Sequence, residues 1–245
     1  MREIVLDTET TGFEPSEGHR IVEIGALELW NHLPTGKTYH VYINPERDMP
    51  EEAFGVHGIG PDLLPAPRPP KPGEVTLKDK PVFRAVAQSF LDFVTDARLV
   101  IHNASFDMKF LNAELSWVGL PQLPMQQATD TLAMARQKFP GSPATLDALC
   151  RRFGVDNSAR DKHGALLDSE ILAEVYLELI GGRQPDFALA TGGHGGGTSA
   201  AGGEPEWRPR PRPNPLPPRI TQDEAAAHAA FVQGMGDSAL WSEFD

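Results

Sequence analysis

Apolar positions follow strand-like and then helix-like periods along the first 180 residues. β-rich runs at Glu3–Leu6, Ile21–Trp30 and Thr38–Ile43 predict three early strands, and Leu99–Ile101 predicts a further short one. Helical spacing predicts five helices, which cover Pro81–Thr95, Ser105–Val118, Thr131–Phe139, Thr145–Phe153 and Leu166–Ile180. Three strands followed by alternating helices indicate an α/β fold with a mixed sheet covered by helices.

Proline-rich and glycine-rich segments lie within this pattern and after it. Residues 65–78 are dense in proline and basic residues, which predicts a surface loop. Residues 192–203 are mostly glycine with small polar residues, and residues 208–218 alternate proline with arginine or asparagine. This composition predicts a disordered linker over residues 181–219, flexible in its first half and stiffer in its second.

Helical character returns after the linker. Thr221 and Glu224 have the spacing of a capping box and precede an alanine-rich stretch, which predicts a helix. A lone helix of about a dozen residues is marginal in water, and Leu240 and Trp241 have no core of their own nearby. We therefore divide the chain into a globular domain (1–180), the linker, and a docking segment (220–245) that becomes ordered on a partner. The alternative is that this segment folds back on the main domain.

Charge and composition limit the partners that the chain can have. The formal net charge is -12, which argues against a broad electrostatic grip on polyanions, so any phosphate binding must be local. The single cysteine, Cys150, falls on the inward face of a predicted helix and is expected to be a buried, inert thiol. The chain shows no apolar leader and no apolar run of membrane-spanning length, so we expect a cytoplasmic location without membrane contact.

Two carboxylates follow the first predicted strand at a spacing of two residues. Side chains alternate along a strand, so Asp7 and Glu9 leave the same face as Val5. Two acids at the end of a buried strand repel each other and lose hydration, and they stay ionised only next to a cation. A divalent metal ion is the natural candidate.

Two further acids occupy helix positions where apolar residues belong. Asp107 heads the apolar stripe of one predicted helix, and Asp168 heads that of another. Either acid alone could be an N-cap or a favourable contact with the helix dipole. That alternative does not account for both acids together with Asp7 and Glu9. Ligands that are all oxygen suit Mg²⁺ or Mn²⁺.

His163 lies five residues before Asp168 and is predicted in the turn that precedes the helix. A solvated loop histidine is the ordinary alternative. The functional interpretation is favoured because an imidazole titrates in the range needed to take a proton from water near neutral pH. The remaining histidines show no such company and are expected at the surface; they include His19, His32, His40, His194 and His228.

Three motifs in order carry a resemblance to a known family. The motifs are D-T-E-T-T-G at Asp7–Gly12, H-N-A-S-F-D at His102–Asp107 and H-G-A-L-L-D at His163–Asp168. They resemble the three motifs of the DnaQ-like, or DEDDh, 3′→5′ exonucleases. Residues 51–59 and 167–177 are similar, more narrowly, to the epsilon proofreading subunits of bacterial DNA polymerase III. The resemblance covers residues 2–180 and, more faintly, 221–241.

The resemblance implies an RNase H-like fold with a five-stranded mixed sheet and helices on both sides. It implies that Asp7 bridges two divalent metal ions, that Glu9 and Asp168 complete the tighter site, and that Asp107 holds the second ion through water. The ions, about 4 Å apart, would activate a water and stabilise the leaving 3′-oxygen. His163 would accept the proton of the water, and the products would be 5′-nucleoside monophosphates.

The same resemblance implies the contacts to substrate and partners. The substrate would be a single-stranded or frayed 3′ end of DNA, and its terminal nucleotide would contact Asp7, Glu9, Glu52, His57, Asn103 and Phe106. For the last four, a structural role is an equal alternative. The polymerase alpha subunit would bind residues 220–245, and the sliding clamp would bind the loosely matching peptide Gln184–Leu189.

Two other functions share these sequence features. An RNA-directed enzyme of the same superfamily, such as an oligoribonuclease, would use the same five site residues, although such enzymes generally lack a long tethered tail. A non-catalytic polymerase assembly factor would keep the tail and a relic nuclease domain. Retention of all five site residues argues against a relic, because unused buried acids are destabilising.

Overall fold

The computed structural model describes residues 1–158, 162–182 and 220–235. The chain divides into two units, 1–189 and 190–245. The predicted clamp peptide, most of the predicted linker, His194, Leu240 and Trp241 lie outside the described residues. Among the helices within the described ranges, none has both the length and the apolar character that crossing a bilayer requires.

A five-stranded mixed sheet forms the centre of the first unit. Its order is β3-β2-β1-β4-β5. β1 pairs antiparallel with β2, which pairs antiparallel with β3, whereas β1 and β4, and β4 and β5, are parallel. Since parallel strands end at the same edge, the carboxyl ends of β1, β4 and β5 lie together, where ligand sites of open α/β sheets are found. The strands are β1 (Arg2–Thr10), β2 (Ile21–Trp30), β3 (Leu33–Tyr42), β4 (Arg98–Ile101) and β5 (Ala128–Asp130).

Helices cover both faces of this sheet. Even-numbered residues of β1, such as Ile4 and Leu6, face the core beneath α2 and α3, whereas Val5 faces α6. The strand alternation therefore gives β1 two buried faces. The helices are α1 (Glu51–His57), α2 (Phe83–Val94), α3 (Ala104–Trp117), α4 (Thr131–Lys138), α5 (Leu146–Phe153), α6 (Ala165–Leu179) and, in the second unit, α7 (Gln222–Gly234).

The predicted elements are present, with differences at their ends. β1 continues four residues beyond the predicted strand, because Asp7–Thr10 remain paired with β2. β3 begins at Leu33 instead of Thr38. The apolar pattern predicts neither α1 nor the short strand β5. Cys150 is buried, as predicted.

The proline-rich segment 65–78 is irregular, as predicted, but it is not wholly at the surface. Leu77, near its end, is fully buried in a small cluster with Val22, Met49 and Ile59. Its backbone N–H donates to Asp62 Oδ1 at 3.0 Å. One apolar side chain thus anchors the loop within a composition that otherwise indicates solvent exposure.

α7 has the predicted capping box. The Thr221 hydroxyl accepts from the Glu224 N–H at 3.3 Å, and a Glu224 carboxylate oxygen accepts from the Thr221 N–H at 2.8 Å. None of its residues is buried, and Phe231 is 66% exposed. The helix signal predicted from the sequence is confirmed, while docking of this segment stays a prediction.

Glu28 gives the first testable consequence of the fold. The hydrogen bond from Arg2, at 2.6 Å, together with those from Thr35 and Lys37, lowers the pKa of Glu28 from 4.5 to about 2. A carboxylate with a depressed pKa stabilises the folded state above its unfolded pKa, and this contribution is lost as the pH falls from 4.5 to about 2. We expect Glu28→Gln to lower the melting temperature at pH 7. Near pH 2, the pKa of Glu28 in the folded state, the melting temperatures of the variant and the wild type should converge.

Thermal unfolding of the two proteins at several pH values measures this difference. The exposed Glu174→Gln substitution, in the middle of α6, is the control, and it should leave the melting temperature unchanged throughout. A Glu28→Gln deficit that stays constant across the acid range would contradict the assignment.

Candidate active site

The carboxyl end of β1 presents acids to one face of the sheet and a hydroxyl to the other. Asp7 and Glu9 share the face of Val5, which packs against α6. Thr8 points to the opposite face, where its hydroxyl donates to Asp107 Oδ1 of α3 at 2.7 Å. A register shift in the pairing with β2 falls between Glu9 and Thr10. Such bulges re-aim side chains and are frequent beside active sites.

Asp107 and Asp168 occupy equivalent places in their helices. Each is the fourth residue, of α3 and α6 respectively, and each is 3% exposed. The N-cap positions belong to Asn103 and Gly164, neither of which caps its helix with a side chain. The alternative in which these acids are N-caps is therefore wrong. Both project from the first turn toward the end of β1.

One cavity of about 560 Å³ brings the predicted metal ligands and the predicted base together. Asp7, Glu9, Asp107, His163 and Asp168 all line it. Potential ligand atoms of Glu9, His163 and Asp168 lie within 4.8 Å of one another. Residues that are far apart in the sequence thus meet at one edge of the sheet.

His163 lies in the turn before α6, as the sequence predicts. Its Nδ1 lies 3.2 Å from Asp168 Oδ2, so a carboxylate orients the ring. Its backbone N–H donates to the carbonyl of Val56 at 3.3 Å, which ties the turn to α1. Helix α1, which the sequence pattern does not predict, therefore holds the turn that carries His163, the predicted base.

Burial and mutual repulsion raise the pKa values of two of the acids. Burial raises the pKa of Asp7 well above its usual range, and the charges of four other acids raise it further, namely Asp107, Glu9, Asp168 and Glu23. Burial raises the pKa of Asp107 to about 7, against the opposing hydrogen bond from Thr8. Ionising these groups together is unfavourable unless a cation compensates their charge.

The donor set fits hard divalent cations. The predicted ligands contribute carboxylate oxygens from β1, α3 and α6, and the imidazole of His163 lies beside them. Oxygen donors suit Mg²⁺ and Mn²⁺, and a bound cation would remove the repulsion that raises the pKa of Asp7. The cavity is thus a candidate metal centre.

A second cavity, of about 380 Å³, adjoins the first. The two share Thr8, Glu9 and Phe106 in their walls. Glu52 and His57 line the second cavity, together with mostly apolar surface. Asn103 is exposed at the start of α3, with φ of 68°, and is not among the described residues that line either cavity. Three of the four predicted nucleotide contacts therefore lie where a base or sugar could fit.

His57 is held as a neutral ring beside the second cavity. Burial lowers the pKa of His57 to about 4, so the ring is uncharged near neutral pH. Its Nδ1 accepts from the backbone N–H of Ile59 at 3.0 Å. A neutral imidazole that accepts at Nδ1 carries its proton on Nε2. That nitrogen is fully buried, so in this conformation it does not reach a ligand, and the ring borders the cavity without adding charge to it.

The fold resembles those of known exonucleases. The nuclease domain of 3′hExo, a DEDDh family member bound to rAMP, aligns with a TM-score of 0.59 and 20% identity over 73% of this chain and 91% of that one. Exonuclease X in complex with 5′ overhanging duplex DNA aligns with a TM-score of 0.51 and 21% identity over 73% and 90%. At these identities the likeness shows the fold.

Sequence comparison defines the family. The Exonuclease family model matches residues 4–176. DNA polymerase III subunit epsilon of Escherichia coli strain K12 is 44% identical, with 98% of this chain and 97% of that protein covered. The subunit of the same name from Rickettsia felis is 54% identical over 77% and 78%. The chain belongs to the epsilon-subunit family of exonucleases. The predicted RNase H-like fold and family are thereby confirmed.

Sequence reasoning missed several residues around this epsilon-family site. His102, Arg136 and Asp147 line the first cavity, although none was assigned to it. His102 directly precedes Asn103 in the second motif, and its Nδ1 lies 2.9 Å from Thr131 Oγ1. Arg136 lies on α4, whose sequence gives no sign that this helix borders the site. The motif could have pointed to His102, whereas only the three-dimensional arrangement identifies Arg136 and Asp147.

The expectation that the other histidines lie at the surface is confirmed for His40, which is exposed, whereas His19 and His32 are half-buried. Each lies beside a polar partner that the strand pairing or a turn brings close, and this pairing is invisible in the linear sequence. The contacts are His19 with Thr11 at 3.1 Å, His32 with Glu3 at 2.7 Å and His40 with Glu23 at 2.7 Å. His19 also lines the second cavity. His228 is exposed, as expected.

Proposed function

We propose that this chain is the proofreading 3′→5′ exonuclease subunit of a replicative DNA polymerase III. The observation that carries the proposal is the convergence of Asp7, Glu9, Asp107 and Asp168 with His163 in one cavity. Family membership supports it, because relatives similar over nearly the whole chain are named DNA polymerase III subunit epsilon. The substrate is a single-stranded or frayed 3′ end of DNA.

The roles of the site residues follow from their positions. Asp7, Glu9, Asp107 and Asp168 would hold two divalent ions, Mg²⁺ or Mn²⁺. When bound, such ions supply the positive charge that activates a water and stabilises the leaving oxygen of an in-line displacement. His163, at the rim and oriented by Asp168, accepts the proton of the attacking water.

The adjoining cavity would receive the terminal nucleotide. Phe106 lies between the two cavities, so its ring can contact the base while the phosphate stays near the acids. Glu52 offers an acceptor in this cavity, and the neutral His57 ring forms part of the wall without adding charge. Asn103 lines neither cavity, so it would contact the terminal nucleotide only if the nucleotide extends beyond both cavities.

The proposed assembly contacts lie in the C-terminal part of the chain. Residues 220–245 would dock on the polymerase alpha subunit, and Gln184–Leu189 would bind the sliding clamp. The exposed Phe231 on α7 offers an apolar contact of the kind that helix-docking interfaces use. With a formal net charge of -12, the chain depends on the polymerase for a basic DNA track, and its affinity for free DNA should be low.

Metal removal tests the proposed chemistry. We expect the purified chain to release 5′-nucleoside monophosphates stepwise from the 3′ end of a single-stranded DNA oligonucleotide in Mg²⁺ or Mn²⁺. Excess chelator should abolish this activity, because the acids lose the cations that the reaction requires. Oligonucleotides labelled at the 5′ or 3′ end report the polarity.

A matched RNA oligonucleotide and a restored metal supply complete this experiment. Activity that recovers on adding excess Mg²⁺ shows that the chelator did not denature the protein. Faster degradation of RNA than of DNA would favour the RNA-directed alternative. Undiminished hydrolysis in chelator would exclude the metal-dependent mechanism.

A further inference from the structure

A buried carboxylate outside the cavity contacts the helix that carries part of the site. Glu23, on β2, is 2% exposed and is not among the described residues that line the metal-site cavity. Its Oε2 accepts from the backbone N–H of Ala165 at 2.9 Å, and its Oε1 lies 2.7 Å from His40 Nε2. Both oxygens therefore have partners, as a buried carboxylate requires.

The contact replaces a missing local cap. Ala165 is the first residue of α6, and the N-cap residue, Gly164, has no side chain that could accept from the first turn. The first N–H groups of a helix need acceptors from elsewhere, and a negative charge is favourable at this end. Glu23 supplies both from a neighbouring strand.

Two further contacts fix the same strand against the same helix. The Ser169 hydroxyl of α6 donates to the carbonyl of Gly25 at 2.9 Å. A Cβ atom at position 25 would lie 2.1 Å from the backbone nitrogen of Leu166, so only glycine allows this close approach. The Glu23–Gly25 segment thus contacts the first turn of α6 at three points.

The strand register connects this segment to the acids of β1. Glu23 is the direct partner of Glu9, and Gly25 is the direct partner of Asp7. On the other side, Ala165 lies two residues after His163 and three before Asp168. Glu23 therefore bridges the strand that carries two acids and the helix that carries the base and another acid.

We propose that Glu23 is a positioning residue, which places the first turn of α6 so that His163 and Asp168 face Asp7 and Glu9. The inference rests on the proposed nuclease function. The Glu23 side chain acts through its length, because its carboxylate must extend to the Ala165 N–H to accept the hydrogen bond. Loss of that hydrogen bond lets the start of α6 move. Site geometry tolerates only displacements below about 1 Å, so a small movement is enough to lower the rate.

Two substitutions at Glu23 separate the effect of side-chain length from the effect of its negative charge. Glu23→Asp keeps the charge but is one methylene shorter, so it withdraws the acceptor from Ala165. Glu23→Gln loses the charge but keeps an acceptor oxygen at full length. Glu28→Asp is the matched control, because Glu28 is a second buried carboxylate on β2, whose partners are Arg2 and Thr35.

We expect Glu23→Asp to lower kcat on single-stranded DNA by about tenfold or more, the range typical of supporting residues around metal sites. KM for the oligonucleotide should stay unchanged, because Glu23 does not line the substrate cavities. Glu23→Gln should keep kcat within about threefold of the wild type, because its amide oxygen still reaches the Ala165 N–H. The small loss is expected because a neutral acceptor forms a weaker hydrogen bond than a charged one. Glu28→Asp should have wild-type kcat per folded molecule.

Circular dichroism and thermal unfolding give the folded fraction by which each kcat is normalised. Wild-type kcat in Glu23→Asp, or an equal loss in Glu23→Gln and Glu23→Asp, would overturn the inference. Should Glu23→Asp fail to fold, a folded Glu23→Gln with a tenfold loss would overturn it as well. Failure of the proposed function is distinguishable, because the wild-type protein itself would then lack metal-dependent 3′→5′ activity.

Discussion

Asp7→Asn is expected to reduce exonuclease activity by more than about a hundredfold, since even residues that only support metal ligands contribute 10- to 100-fold. Asn keeps the shape of the side chain but loses the negative charge that a divalent ion requires. Burial and four neighbouring acids already raise the pKa of Asp7, so removing its charge relieves repulsion. The melting temperature in chelator should therefore equal or exceed that of the wild type.

Hydrolysis of a 3′-labelled oligonucleotide in Mg²⁺, together with thermal unfolding in chelator, measures both effects. Asp92→Asn, an exposed acid of α2, is the control and should change neither. Co-purification with the polymerase should persist in both variants. Activity within tenfold of the wild type would show that Asp7 is not a metal ligand, and a large loss of stability would show a structural role.

Removal of residues 183–245 is expected to abolish co-purification with the polymerase subunit while leaving hydrolysis of single-stranded DNA intact. The family model ends at residue 176, and α6, which carries Asp168, ends at Leu179, so the truncated chain keeps every proposed site residue. The capped helix α7, which includes the exposed Phe231, would be lost. Gel filtration of the mixture with polymerase measures the association.

Paired alanine substitutions at Gln184 and Phe187 serve as the control for this truncation. They lie in the proposed clamp peptide and should leave polymerase binding unchanged. A truncated chain that still elutes with the polymerase would contradict docking through residues 220–245. Loss of DNA hydrolysis by the truncated chain would indicate that the tail also supports the nuclease domain.

Local pattern predicted the long elements because their periodicity is strong. The apolar stripes of α3 and α6 are regular enough to show that Asp107 and Asp168 break them. The strand β5 is only Ala128–Asp130, too short for a period to be recognisable, and it is defined by pairing with β4. α1 has seven residues with Gly55 inside, so its propensity is weak and tertiary contacts decide its existence.

The site was partly predictable for a related reason. Acids at apolar positions are costly, which makes Asp7, Glu9, Asp107 and Asp168 conspicuous in the sequence. Supporting groups carry a weaker signal: Glu23 is also an acid within a buried strand, but its role depends on meeting the start of α6. The sequence shows that such a residue is unusual, and only packing shows what it contacts.

The alternation of β1 has a consequence for how this segment can change during evolution. Asp7 and Glu9 face one layer of helices, and Thr8 reaches Asp107 in the other layer. A one-residue insertion or deletion within β1, before Asp7, would exchange the two faces and turn both carboxylates away from α6. Length in the first strand is therefore under stronger constraint than the identity of any single apolar residue within it, and natural variants should differ here by substitution and not by indels.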